Sequence, residues 1–394
     1  MEQTWRWFGP QDPISLDHVR QTGATGVVTA LHHIDDNTVW SADEIDRRKT
    51  VIERAGLSWS VVESIPIPSI IKQGGAAAQK AIAVWKDSLA NVGRAGIPVV
   101  CYNFMPVVDW TRTDLLFRVP TTGYALRFDM IDFIGYDAFV LRRANAEGDY
   151  PADAVRRAHS RIASKTEAEI ALLERNIIAG LPGGAAVQTR SSIASEFANF
   201  KDIDADAMRH NMVQFVQEMS AIAEDVGVRL AIHPDDPPFS LFGLPRVVST
   251  AEDVRHLVGA VESPANGITL CAGSYGSRSD NDVLAIASEF SSKINFAHLR
   301  NVTIEPDGSF FEDQHLEGGT DMVALIGILL AEERSARADT RARQIPIRSD
   351  HGHLLGSDGE RPTNPGYSYI GRLKGLAELR GIIRTLESQS VGTQ

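Results

Sequence analysis

Four short runs in the second half of the chain decide the fold: RLAIHP at 229–234, ITLCAG at 268–273, INFAHLR at 294–300 and IPIRSDH at 345–351. Each is apolar and rich in β-branched residues, so each reads as a buried strand. Each also carries a metal-binding type of side chain at or near its C-terminal end: His233, Cys271, His298 and Asp350. Donors on four separate strand ends converge only if the strands lie side by side and parallel. One pattern therefore predicts both a parallel barrel and a metal centre at its C-terminal face, where barrel active sites lie.

The first half supplies the rest of the barrel. TWRWF at 4–8, GVVTAL at 26–31, WSVVES at 59–64 and PVVCYNF at 98–104 read as four further strands, with longer helical patterns between all eight. Ser15 and Ser41 are expected N-caps, SADE at 41–44 has the form of a capping box, and Gly56 and Gly96 fall where helices should stop. The alternation predicts an α/β chain forming a single (β/α)₈ barrel domain over 1–394. A long, largely helical insertion is expected at 106–204, before the fifth strand. It comprises an aromatic, proline-bearing part at 107–139, a helical pattern at 165–178 and a Gly/Ala/Ser-rich stretch at 180–195. Such a length suits a lid, a helical appendage or an oligomer contact. GGAAA at 74–78 reads as a mobile loop and 388–394 as a frayed end.

Composition narrows the function. Hydrophobic residues make up 43% of the 394 positions, enough for one large core. The opening MEQTWRW lacks the basic region and apolar core of a secretory signal, and no run of about 18 apolar residues occurs. A cytoplasmic protein without membrane contact is expected. Two cysteines, Cys101 and Cys271, are too few for a disulfide scaffold. A net charge of −12 disfavours nucleic acid, whose binding draws on clustered Lys and Arg. It still permits a small anionic substrate held by a few buried arginines. Phosphate loops of the G-x-x-x-x-G-K or G-x-G-x-x-G form do not occur, which argues against a nucleotide cofactor.

Taken singly, each donor has a plainer reading. A strand histidine is more often a hydrogen-bonded core residue, a buried cysteine is more often inert, and Asp350 suits a loop cap. Equivalent placement on four consecutive strands favours the metal. Because side chains alternate along a strand, Asp350 and His351 can both reach the site only where the chain turns. The chain begins to turn at the strand end, and Gly352 is expected to make that easy. Asp350 is assigned to the metal, His351 to the substrate, and His353 to solvent or to backing the ligands. Trp7, His32, His33, Glu63 and Asn103 fall on the remaining strand ends, with Trp7, His32 and Asn103 the expected substrate contacts. Cysteinate and aspartate cancel the charge of a divalent ion, so an arginine is expected for the substrate anion: Arg300 first, Arg348 otherwise.

These segments also carry a resemblance. HPDDPP at 233–238, GLPRVVST at 243–250, CAGSYG at 271–276, HLR at 298–300, DHGH at 350–353 and NPGY at 364–367 are similar to D-mannonate dehydratases of bacterial hexuronate catabolism. So are WRWFGP at 5–10, TGVVTALHH at 25–33, WSVVES at 59–64 and CYNFMPVVDWTR at 101–112. The likeness runs to about residue 380 and is weakest at 183–198. It implies a xylose-isomerase-like barrel, a lyase that uses Mn²⁺ or Fe²⁺ and no organic cofactor to convert D-mannonate to 2-dehydro-3-deoxy-D-gluconate. It implies His233, Cys271, His298 and Asp350 as ligands and His351 and Tyr367 as proton-transfer groups. Imidazole suits taking the C2 proton at neutral pH and a phenol suits protonating the leaving C3 oxygen. Four protein ligands would fill a tetrahedral zinc site, whereas Mn²⁺ or Fe²⁺ accepts further oxygens. Two other functions fit the residues less well: a sugar isomerase or epimerase on a similar barrel, and a non-catalytic sugar-acid sensor. The long insertion leaves room for a homo-oligomer.

Overall fold

The protein is described here by a computed structural model covering residues 1–178, 190–338 and 343–391. Most of the Gly/Ala/Ser-rich stretch and residues 392–394 of the tail lie outside those residues. Twelve strands occur among them: β1 (Glu2–Arg6), β2 (Gly26–Thr29), β3 (Ser58–Glu63), β4 (Val99–Tyr102), β5 (Asp114–Arg118), β6 (Tyr124–Phe128), β7 (Arg229–Ile232), β8 (Ile268–Cys271), β9 (Ile294–His298), β10 (Asn301–Ile304), β11 (Phe310–Asp313) and β12 (Pro346–Arg348). Eight of them, β1-β12-β9-β8-β7-β4-β3-β2, close into a parallel barrel, and these are the eight expected ones.

Side-chain alternation divides the core in two. Val28, Val61, Val99, Cys101, Ala231 and Phe296 meet as one apolar cluster drawn from five barrel strands, filling the barrel's interior. Outward residues such as Val27, Val62, Leu230, Leu270 and Ile347 join the larger cluster under the helices. Registers place Cys271 and Arg348 beside His298, and Glu63 beside Cys101. Polar groups thus share a level just above the apolar filling. No helix among the described residues is long and apolar enough to cross a membrane.

Local signals worked with exceptions. Ser15 and Ser41 cap their helices through the N–H groups of His18 and Glu44. Gly56 and Gly96 take left-handed φ values of 72° and 77° at helix ends. The box at 41–44 is only half made, because the Glu44 carboxylate is drawn to Arg47 and His33 instead. Residues 74–78 form a tight corner between helices rather than a loose loop: a Cβ on Gly74 would lie 2.3 Å from Asn211 Oδ1. The closing helix, Tyr369–Val391, continues through 388–391, which were expected to fray. Strand β1 ends at Arg6, two residues early, so Trp7 and Phe8 already belong to the rim.

A second sheet, β10-β11-β6-β5, went unforeseen. It joins a hairpin from the long insertion to one that follows β9, through antiparallel pairing of β11 with β6. Neither hairpin reads clearly in sequence, since β5 is bulged and half-exposed and β11 is only FFED. Asn301 anchors the connection. Its amide donates to the carbonyls of His315 and Thr320 at 3.1 and 2.8 Å, while its carbonyl oxygen accepts from Val302 N and Thr320 N at 3.1 and 3.0 Å. Leaving a buried polar group unpaired costs about 1–3 kcal/mol. Asn301→Ala is therefore expected to lose about 3 kcal/mol in urea unfolding, with faster amide exchange concentrated at residues 313–320.

Candidate active site

The strand ends bring His233, Cys271, His298 and Asp350 together. The donor atoms of His233, Cys271 and His298 all lie within 4.8 Å of one another. His233 Nε2 is 3.2 Å from His298 Nδ1, and Asp350 Oδ2 is 3.6 Å from His298 Nδ1 and 4.0 Å from Cys271 Sγ. Ligands about 2.0–2.3 Å from one ion stand roughly 3 to 4 Å apart, so the donor set fits a single cation. The second-nearest atoms support this. His233 Nδ1 is tied to the Pro234 carbonyl at 2.6 Å, leaving Nε2 to face inward, and His298 turns Nε2 toward Glu63 Oε1 at 3.7 Å.

A competing triad, Glu63, Cys101 and His298, is equally compact. Its chemistry is poorer. Burial, then the neighbouring Glu63, pushes the Cys101 thiol well up, and Glu63 is paired with Arg348 at 2.9 Å. At Cys271 burial also opposes ionisation, but Arg300 and His233 overcome it and lower the thiol. Burial likewise works against a charged His233, yet the Cys271 thiolate lifts it to about 9. His298 is held well below its usual value by burial and by Arg348. Cys271, unlike Cys101, therefore sits beside groups that favour its thiolate, the form that ligates a metal.

Asp350 reaches the site by backbone conformation. It adopts φ 64°, a left-handed value uncommon for a non-glycine residue, just beyond the end of β12. The turn falls on Asp350 itself and not on Gly352. Gly352 is required for another reason: a Cβ there would come 2.4 Å from the backbone of Gly371 and Arg372. The turn lets Asp350 and the next residue, His351, face the same chamber. Burial resists the Asp350 charge, but Arg348 above all holds it well below the usual carboxylate range.

His351 Nε2 is 3.3 Å from Tyr367 Oη, and their rings meet edge to face with centroids 4.9 Å apart. Burial pushes the Tyr367 phenol up to about 12, against the pull of Arg348. On its other side His351 Nδ1 contacts Glu312 Oε1 and Oε2 at 2.8 and 2.6 Å. His353 is buried, not solvated, and its Nε2 bonds the Glu312 carbonyl at 2.8 Å.

Arg300 is enclosed by protein acceptors. Nε donates to Asp350 at 2.9 Å, Nη1 to Glu312 at 3.2 Å, and Nη2 to Asp236 and to Ser274 Oγ. Four of its five N–H groups are thereby engaged. Arg112 adds two bonds to Asp236, at 2.8 and 3.3 Å, and one to Glu312 at 2.8 Å. Glu312, Asp236 and Arg112 escaped the sequence reading. Asp236 and Arg112 lie within quoted motifs, so a search for buried charge partners could have found them. No local signal marks Glu312.

The remaining rim residues stand apart from this cluster. Trp7 is buried beneath the Arg48 guanidinium, 5.5 Å from its ring. His32 lies 6.0 Å from Phe8, which in turn packs edge-on against Tyr367 at 4.8 Å. Asn103 Oδ1 accepts from Met105 N at 3.4 Å, and His33 is exposed and paired with Glu44. A cavity of about 310 Å³ opens beside the cluster, with Arg300, Glu312 and His351 on one wall and Tyr124, Leu126 and Asn176 on another. Its size is that of a small-molecule site, about 300–1,000 Å³.

Three comparisons bear on this arrangement. The family model described as D-mannonate dehydratase (UxuA) matches residues 1–392. Mannonate dehydratase 2 of Agrobacterium fabrum is 64% identical over 389 residues, 99% of this chain and 98% of that protein. The crystal structure of mannonate dehydratase from Streptococcus suis serotype 2 superposes with a TM-score of 0.78 at 32% identity, covering 99% of this chain and 94% of that one. A xylose isomerase-like TIM barrel protein from Mycobacterium smegmatis, solved with magnesium, shares the fold alone, at a TM-score of 0.50 and 14% identity over 93% of this chain and 88% of that one.

Two outcomes are expected of the charge cluster. Arg300→Ala removes one of the two guanidinium partners of each of three buried carboxylates, Asp236 and Glu312 keeping Arg112 and Asp350 keeping Arg348, and should cost about 3–5 kcal/mol in chemical unfolding. Burial disfavours the Glu312 anion, but His351 and Arg300 bring it from 4.5 down to about 2. Stability from a depressed carboxylate is complete above its unfolded value and is lost as pH falls through the folded one. The stability gap between wild type and Glu312→Gln should therefore narrow by about 3 kcal/mol from pH 5 toward 2, as read by urea titration at stepped pH.

Proposed function

The chain belongs to the D-mannonate dehydratase family, and from that premise we propose that its barrel mouth removes water from D-mannonate to give 2-dehydro-3-deoxy-D-gluconate. The observation that carries the reading is the convergence of His233, Cys271, His298 and Asp350 beside the His351–Tyr367 pair. The four donors would hold a divalent ion of the Mn²⁺ or Fe²⁺ type, since an oxygen-chelating substrate needs further coordination positions. When bound, that ion supplies Lewis acidity at the substrate oxygens as charge develops next to the carboxylate.

The chain's own residues do the remaining work. The cavity beside His351, with Arg300 among its lining residues, admits the sugar acid. His351, held by Glu312 at Nδ1 and facing Tyr367 with Nε2, takes the C2 proton at Nε2. Tyr367, raised to about 12 by burial, stays protonated and donates to the C3 oxygen as the C3–O bond breaks and water leaves. The enol so formed tautomerises to the 2-keto acid. Trp7, His32 and Asn103 do not line that cavity, and no substrate contact is assigned to them. The free, buried thiols Cys101 and Cys271 suit a reducing compartment, which supports a cytoplasmic location.

The test is product analysis with purified protein and D-mannonate after chelation and add-back of Mn²⁺, Fe²⁺, Co²⁺ or Zn²⁺. A 2-keto acid should appear only with an added ion; aldose–ketose exchange in its place would mark an isomerase. Cys271→Ser should lose bound metal and turnover together, because the serine alkoxide does not form at neutral pH. In D₂O, Tyr367→Phe should wash deuterium into C2 without elimination and His351→Asn should do neither. Exchange that survives loss of His351 but not of Tyr367 would reverse the two roles.

A further inference from the structure

We propose that Glu312 is a positioning residue for proton transfer: its carboxylate fixes the orientation and tautomer of His351, keeping the ring hydrogen on Nδ1 and turning an unprotonated Nε2 toward Tyr367. The consequence for turnover rests on the dehydratase reading above; the assignment of the hydrogen does not.

The geometry leaves little freedom. Both Glu312 oxygens lie within 2.8 Å of His351 Nδ1, and an ionised carboxylate can only accept, so Nδ1 must donate. A neutral imidazole with its hydrogen on Nδ1 has its lone pair on Nε2. That nitrogen faces Tyr367 Oη at 3.3 Å. The ring is clamped edge-on between Trp110 and Tyr367, with centroids 5.9 and 4.9 Å away. A carboxylate present only to neutralise arginines would need no contact with His351. Arg112 and Arg300 both bond Oε1, whereas the closest approach to His351, 2.6 Å, is made by Oε2.

Glu312 is itself held in place. It lies on β11 opposite Val302, is 4% exposed, and its carbonyl accepts from His353 Nε2. Residues on either side of Gly352 thus grip one glutamate, His351 through the side chain and His353 through the backbone. The hairpin after β9 would therefore serve to deliver one carboxylate to the imidazole.

The tautomer can be read directly. Enzyme labelled with ¹⁵N-histidine and loaded with diamagnetic Zn²⁺ or Mg²⁺ should show, for the signals that vanish in His351→Asn, a hydrogen-bearing Nδ1 and a bare Nε2. In Glu312→Gln, whose carboxamide can turn an N–H toward the ring, the hydrogen should move to Nε2 or average between the two sites. With D-mannonate the same variant should lose about 10²–10⁴-fold in kcat, as expected for a histidine held in the wrong tautomer, with KM within about threefold and metal content unchanged. A wild-type hydrogen on Nε2 would overturn the proposal. So would a Glu312→Gln spectrum with the tautomer intact, even if turnover fell, because the carboxylate would then be structural. If that variant does not fold, the wild-type spectrum still decides. Wild-type enzyme that makes no keto acid yet shows the Nδ1 hydrogen would sink the dehydratase reading and leave the role of Glu312 standing.

Discussion

Three carboxylates, Asp236, Glu312 and Asp350, are buried side by side at the barrel mouth, and the site exists because Arg112, Arg300 and Arg348 keep them charged. An isolated ion in such surroundings would cost several kcal/mol. Sharing removes most of that cost. Arg112 spans Asp236 and Glu312, Arg300 touches all three, and Arg348 links Asp350 to Glu63. These residues come from the loops or strands around β3, β4, β7, β9, β11 and β12, so the charge chain also ties the loops together. The carboxylate proposed as a metal ligand and the partner of the proposed base are fixed by the same guanidinium group.

The second sheet follows from that constraint. Glu312 must reach His351 from outside the barrel, and a lone two-stranded hairpin is marginal in water. Pairing β11 with β6 gives the hairpin a partner from the long insertion. The insertion is tied back in turn, because Tyr124 exchanges two backbone hydrogen bonds with Leu354, at 3.2 and 2.8 Å, just past His353. Arg112, at the start of the insertion, completes the circuit through Glu312. The insertion, which the sequence left open as a lid, a helical appendage or an oligomer contact, braces the loop after the eighth barrel strand through β6 and Tyr124.

The legible part of this molecule was the part with a period. Alternating β-branched runs repeat eight times, and a donor at each of four strand ends is a pattern visible without contacts. The illegible part depends on pairs far apart in sequence. Glu312 meets Arg112 across 200 positions, and nothing in FFED announces it. Arg300 was read as the cation for the substrate anion, but its occupation by three acids could not be seen from its neighbours. The alternation rule called for a turn at the end of β12 and found it, but credited Gly352 with easing it, since only the backbone shows that Asp350 takes the left-handed conformation itself. Tyr367 was placed by resemblance alone, and its 3.3 Å approach to His351 gives that placement a physical basis.

The charge count suggests why an ion and an anionic substrate belong together here. Glu63 and its neighbour Arg6 are paired and offset each other. Asp236, Glu312 and Asp350 are then matched by Arg112, Arg300 and Arg348, one guanidinium for each carboxylate. A divalent ion held by the four donors would need Cys271 as thiolate and its imidazoles neutral. Two positive charges against one thiolate would leave the cluster at about +1, the complement of one monoanionic sugar acid. Because the protein's arginines are already committed to protein carboxylates, that added charge would supply the attraction for the substrate anion.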